Sequence, residues 1–293
     1  MKKYIIITPV LLILLFGCLA FINSGRKQQV KIRGSETLYP LCFALIDTYL
    51  NDRRNVKFDL KSEGSEIGIS ALKRRETDIA LSSRPLNVGE KVYLQEGNIK
   101  YREVIVAYDA LAIVVNKHNK VTSLDNSQVS DIFSGRITNW NQLGGEDHPI
   151  YVYTRDPNSG TYNYFNSLFL NTGSPVKSAI PVTENYEIIN KVKENKYAIS
   201  YIGLGYLNEE VKGISISMDK KNYILPNWHN VQSLLYPVIR PLYIYALAED
   251  NQKVKDFVEY ALSAKGQQVV MQSNYIPVRN TEVQMRHIAP VPF

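Results

Sequence analysis

The segment Val56-Lys57-Phe58-Asp59-Leu60-Lys61-Ser62-Glu63-Gly64-Ser65-Glu66-Ile67-Gly68-Ile69-Ser70-Ala71-Leu72-Lys73-Arg74-Arg75 changes its hydrophobic period halfway along. Val56, Phe58 and Leu60 alternate with Lys57, Asp59 and Lys61, the two-residue period of a half-buried strand. Ile69 and Leu72 follow at helical spacing, and Lys73, Arg74 and Arg75 give the basic end that suits a helix C-terminus. Between them lies a Gly/Ser turn in which Ser65 is the expected N-cap. Strand, turn and helix in so short a stretch make one α/β unit.

The same alternation continues outward in both directions. Asp78 to Ser82, Glu103 to Tyr108, Leu111 to Asn116, Ile150 to Thr154, Tyr197 to Ile202, Ile214 to Met218 and Leu242 to Leu247 read as further strands. Helical stripes fall on Leu38, Leu41, Cys42, Leu45 and Tyr49, on Val129, Ile132 and Phe133, on Ile188 and Val192, and on Val254, Phe257, Val258, Ala261 and Leu262. Strands alternating with helices predict an α/β fold with largely parallel sheets. The chain has 293 residues, a length that suits two lobes. The crossing between them is expected near Asn116, with a return between Pro237 and Pro241.

Composition excludes several classes. Hydrophobic residues at 45% and charged residues at 21% suit a globular protein and exclude wholesale disorder. Lys and Arg total 34 against 28 acids, and Lys2 and Lys3 belong to the leader, so the excess is too mild for nucleic-acid binding. Four scattered histidines without metal spacing argue against a zinc site. Ser70-Ala71-Leu72-Lys73 matches a serine acylase pattern without its companion motifs, and neither a nucleophile elbow nor a P-loop lysine is present. The 20 tyrosines suit either an interaction surface or sheet packing, and the alternation of Tyr151 with Tyr153 and of Tyr243 with Tyr245 favours packing.

The N-terminus carries a leader. Lys2 and Lys3 precede 19 charge-free residues, Tyr4 to Ile22, close to the roughly 20 that span a bilayer. Leu15-Phe16-Gly17-Cys18 resembles the lipobox of bacterial lipoproteins, which implies a signal peptide over residues 1–17 and a lipidated Cys18 followed by a tether to residue 29. An uncleaved membrane helix is the competing reading. Both place the rest of the chain outside the cytoplasmic membrane. Cys42 is left as a small buried hydrophobe.

Three loops stand between a strand and a helix and carry Gly, Ser and Thr. The first is Arg33-Gly34-Ser35-Glu36-Thr37-Leu38-Tyr39-Pro40, where Pro40 must lie in a first helical turn. The second holds Ser65. The third is Thr154-Arg155-Asp156-Pro157-Asn158-Ser159-Gly160-Thr161. Backbone amides and hydroxyls at the positive end of a helix bind a small anion, and Arg155 adds a planar cationic fork.

These loops, with Asp78-Ile79-Ala80-Leu81-Ser82-Ser83-Arg84-Pro85-Leu86, Asp131 to Trp140, Gly203 to Tyr206 and Tyr236 to Leu242, follow the order seen in phosphate-binding proteins of ABC transporters. The similarity runs from about Val30 to Pro277. It implies a two-lobe periplasmic-binding-protein-like fold of type II, with a hinge and an interlobe cleft, lobe 1 at 30–115 and 238–293 and lobe 2 at 116–237. It implies a phosphate site built from Ser35, Thr37, Leu38, Ser65, Ser83, Arg84, Arg155, Ser159, Gly160 and Thr161. An ABC importer's membrane subunits are the expected partner, with no cofactor and a monomeric chain. One position departs from the best-known branch: where that branch has an aspartate that accepts a proton from phosphate, this chain has Ser83, and Glu36, Glu66 and Asp156 are candidate substitutes. Another oxyanion such as sulfate, molybdate or tungstate, and a surface or sensor protein with a macromolecular partner, are the alternative readings.

Overall fold

The computed structural model describes residues 29–278 apart from 54, 172, 249 and 250. The expected signal peptide, the lipidated Cys18 and nearly all of the tether lie outside the described residues. Within those residues no helix is long and apolar enough to cross a membrane.

In chain order the strands are β1 (Gln29–Gly34), β2 (Lys57–Ser62), β3 (Ile79–Ser82), β4 (Tyr101–Asn116), β5 (Ser123–Asp125), β6 (Tyr151–Arg155), β7 (Ile180–Val182), β8 (Ala198–Gly203), β9 (Val211–Gly213), β10 (Ser215–Ser217), β11 (Ile239–Leu247) and β12 (Ile276–Pro277). The helices between them are α1 (Tyr39–Asp52), α2 (Ser65–Lys73), α3 (Val88–Glu96), α4 (Asn126–Ser134), α5 (Gly160–Phe169), α6 (Asn185–Glu194), α7 (Trp228–Gln232), α8 (Gln252–Leu262) and α9 (Ala264–Gln272). The main sheet runs β2-β1-β3-β11-β4-β8-β6-β7, with β9 and β12 paired to β4.

Strands β1, β2 and β3 are parallel, and their register places Gly34 beside both Ser62 and Leu81. The three loops that leave their carboxyl ends therefore emerge side by side, the position where α/β sheets bind ligands. Strands β6 and β8 form a second parallel set, and β6 delivers Arg155 at its end.

One long strand joins the two sets. The sequence reads as two strands, 103–108 and 111–116, but they form a single β4. Its first half pairs with β11 as far as Ala110, and from Leu111 onward it pairs with β8. The change of partner falls at Ala110 and Leu111, earlier than the crossing expected near Asn116. On one side the core is built by Ile32, Leu41, Leu45, Tyr49 and Phe257. On the other it is built by Ile113, Phe133, Trp140, Phe165 and Tyr201. A third cluster around Ile69, Leu72, Leu94 and Tyr245 fills the opposite face of the first lobe's sheet. Tyr243 and Tyr245 stack at 5.6 Å within these packed faces, and Cys42 is buried, its thiol pushed up to about 12 by loss of water.

Two local expectations need correcting. Ser65 is not an N-cap: Gly64 takes that place with φ 97, which a side chain rarely adopts, and Ser65 becomes the first helical residue. Pro40 does fall in the first turn of α1, but Glu36–Leu38 form a separate 3-10 turn ahead of it.

The point where β4 changes partner holds an ion pair. Arg240 faces Asp109 in register, and its Nε and Nη2 donate to Asp109 Oδ2 at 3.3 and 2.9 Å, with side chains 0% and 1% exposed. Burial raises the Asp109 pKa, and the Arg240 charge and the Ala110 and Leu204 amides oppose that rise. Removing one member strands the other without water. Asp109→Ala should therefore cost about 3–5 kcal/mol in urea unfolding, and a double replacement of Asp109 and Arg240 by apolar residues should cost less than either single change. A double variant as damaged as the sum of the singles would show that the pair is not coupled in this way.

Candidate anion site between the lobes

The cluster forms where the loops after β1, β2 and β3 meet the loop after β6. Thr37 Oγ1 lies 3.1 Å from Thr161 Oγ1, one from each side of the cleft. Ser65 Oγ lies 3.4 Å from Ser83 Oγ and accepts the Ser83 amide at 3.1 Å. Both serines press against the start of α5: a Cβ added to Gly160 would stand 2.3 Å from Ser65 Oγ and 2.6 Å from Ser83 Oγ. Only glycine lets the backbone approach this closely. Ser159 caps α5, its Oγ accepting the Thr161 amide at 3.2 Å. Thr37, Ser65, Ser83, Ser159 and Thr161 are all buried, and helices α2 and α5 both begin here, so their positive ends point at one spot.

Arg155 supplies the charge. Its side chain is 1% exposed, and Nη2 donates to the Thr183 carbonyl at 2.6 Å and to Glu36 Oε2 at 3.0 Å. Its Nε and Nη1 are buried without a hydrogen-bond partner. Buried guanidinium donors are rarely left unpaired, because each forfeits its water without replacement. The strand end that carries Arg155 is fixed by Tyr201, whose hydroxyl accepts the Arg155 amide at 3.3 Å and lies 2.9 Å from Thr154 Oγ1. Phe165 of α5 stacks on Tyr201 at 3.9 Å and 3°, and burial pushes the phenol up to about 12, so it stays protonated. Helix packing thus sets the position of the cationic strand end. A cavity of about 30 Å³ lies beside Arg155, lined also by Glu36, Gly64, Asn158 and Ser159.

Three residues expected in the site have donors engaged elsewhere. Arg84 Nη1 and Nη2 form a two-pronged pair with Glu90 at 2.8 and 2.7 Å, and Nη2 also reaches Glu66. The chain turns at Ser83, so Ser83 faces the cluster while Arg84 faces the acids of its own lobe. The Leu38 amide closes the 3-10 turn on the Ser35 carbonyl at 3.2 Å. The buried Ser35 likewise uses its amide on Leu81.

The three candidate acceptors are committed as well. Glu66 goes to Arg84, Asp156 accepts the Asn158 amide at 2.8 Å in its own loop, and Glu36 turns to Arg155 and Asn185. Sequence reasoning passed over Asn185, which is fully buried and ties Glu36 to Gly203, and Tyr275, whose hydroxyl donates to the Thr37 carbonyl at 2.6 Å. An asparagine at a helix start reads as an ordinary cap, and neither partner of these two is near in sequence.

A family model described as PBP superfamily domain matches residues 22–265. The phosphate-binding protein PstS of Borreliella burgdorferi is 30% identical over 289 residues, which cover 95% of this chain and 100% of that one. A phosphate ABC transporter substrate-binding protein from Clostridium perfringens, solved with bound phosphate, superposes with TM-score 0.77 at 29% identity over 86% of this chain and 100% of that one. An ABC-type phosphate transport receptor from Vibrio cholerae gives 0.70 at 30% identity, covering 84% and 99%. With a model matching most of its length and a relative aligned from end to end, the chain belongs to the PBP superfamily and, within it, to the family of the phosphate-binding proteins PstS.

Proposed function

We propose that this chain captures inorganic phosphate between its lobes and delivers it to an ABC importer, from a position outside the cytoplasmic membrane secured by a lipid on Cys18. The observation that carries the reading is Arg155, a buried guanidinium with two donor atoms free that lines a cavity with Ser159, next to loops that also gather the buried hydroxyls of Thr37, Ser65, Ser83 and Thr161. A tetrahedral oxyanion offers acceptors in every direction, which is what such a set of donors requires. The amides at the starts of α2 and α5 add partial positive charge without needing a counterion. Capture involves no covalent step. Exclusion of water by the closed lobes strengthens each charge-assisted bond. Arg84 and the Leu38 amide are left out of the proposed contacts because their donors are already used.

Ser83 shapes selectivity. A carboxylate facing the ligand would reject an oxyanion with no proton to give, whereas a hydroxyl donates or accepts as needed. Glu36 and Glu66 do not restore that rejection, since both are engaged by arginine.

Calorimetry of the purified chain with phosphate, sulfate, arsenate and molybdate tests the reading. Phosphate should bind, sulfate should compete measurably, and Arg155→Ala should weaken phosphate binding by about 2–5 kcal/mol because a buried anion loses its cationic partner. No heat with any oxyanion sinks the proposal, and near-normal affinity in Arg155→Ala removes that residue from the site. For the anchor, Cys18→Ser should release the protein from the membrane fraction. Full retention would favour an uncleaved leader helix.

A further inference from the structure

We propose that Glu36 is a latch that holds the two lobes closed, a positioning residue acting through Arg155. The inference deepens the phosphate reading and rests on it for one of its two measurements. Glu36 sits in the 3-10 turn after β1, in the first lobe, and its side chain is 14% exposed. Its hydrogen bonds run across the cleft. Oε2 accepts from Arg155 Nη2 at 3.0 Å and from Asn185 Nδ2 at 2.5 Å, and Oε1 accepts the Asn185 amide at 3.4 Å. The Glu36 carbonyl accepts the Tyr206 hydroxyl at 3.1 Å. These partners come from β6, the start of α6 and the 3-10 turn after β8, so one residue is gripped by three separate elements of the second lobe.

The grip has two effects. It closes the cleft with a charged contact, where Thr37 with Thr161 and the Glu66 amide with the Asn158 carbonyl are neutral ones. It also takes up Nη2 of Arg155, together with the Thr183 carbonyl, and so aims the guanidinium with Nε and Nη1 free. A carboxylate is needed because both oxygens accept. Glutamine at this position sets an NH2 against a donor from Arg155 or Asn185, and donor against donor repels. Such contacts slow release, and where they already close part of the ligand-free population they cannot speed capture, since phosphate enters only open lobes.

The test compares wild type, Glu36→Gln and Glu36→Asp as full chains. Release of radiolabelled phosphate into excess unlabelled phosphate is followed by rapid filtration, alongside the association rate and small-angle scattering of ligand-free protein. In Glu36→Gln the release rate should rise about tenfold, the loss of one charge-assisted bond, with association no slower than in wild type. Glu36→Asp, which keeps the charge on a shorter arm, should fall between. The ligand-free radius of gyration should be larger in Glu36→Gln than in wild type, with thermal unfolding unchanged to show an intact fold. Unchanged release in both variants overturns the latch, and so does slowed association with normal release. If wild type takes up no phosphate, the phosphate reading fails by itself, and scattering then decides the latch: equal radii overturn it, and a larger variant upholds it.

Discussion

A positive charge at a point that water scarcely reaches organises this molecule. The Arg155 guanidinium is nearly sealed, and a desolvated cation with unused donors is among the costlier groups a fold can hold. Its surroundings offset part of that cost from every side. Glu36 brings a carboxylate from the other lobe, the Thr183 carbonyl caps one nitrogen, and Tyr201 holds the backbone that carries it. What remains uncompensated borders a small cavity shared with Gly64 and Ser159, and an acceptor placed there would offset the remaining cost.

A clamp needs two bodies that move without losing register, and β4 provides the connection. A single strand that pairs with β11 along one half and with β8 along the other belongs to both lobes. A strand that changes partners at Ala110 and Leu111 is where a bend would disturb the pairing of either sheet least. Asp109 and Arg240 pin β4 to β11 at that point. The ion pair also stands close to the site: a Cβ on Gly203 would lie 3.0 Å from Asp109 Oδ2 and 3.5 Å from a Thr37 methyl. The buried ion pair and the hydroxyl cluster are therefore near neighbours across Gly203.

Much of this was legible in the sequence because its signals are local. A strand of period two, a Gly/Ser turn and a helix follow one another within some twenty residues, and the turn's donors can be named before any fold is known. Ser65, Ser83, Gly160 and the Thr37–Thr161 pair are gathered as those turns suggest. What was not legible depends on partners distant in sequence. Asp109 interrupts an apolar run and reads as a strand break, since Arg240, which makes its burial tolerable, lies 131 residues away. Glu36 reads as a candidate acceptor facing the ligand, since Arg155, which takes it up, is 119 residues on. Arg84 follows Ser83 directly, yet side chains at a strand exit point in different directions, and only the fold shows that Glu90 receives it.

The balance of charge at the cluster bears on what the site distinguishes. Arg155 is matched by Glu36, and Arg84 is outnumbered by Glu66 and Glu90, so these five groups carry no net positive charge and only Arg155 keeps donors unused. An anion there would meet the unused Arg155 donors together with oriented dipoles and hydroxyls, a set that rewards the number and direction of acceptors. A tetrahedral oxyanion satisfies that arrangement whether or not it carries a proton, because Ser83 can turn its hydroxyl either way. On the proposed reading such an architecture would select shape more strictly than protonation, and Ser83, where the best-known branch has a carboxylate, is the position on which that difference would turn.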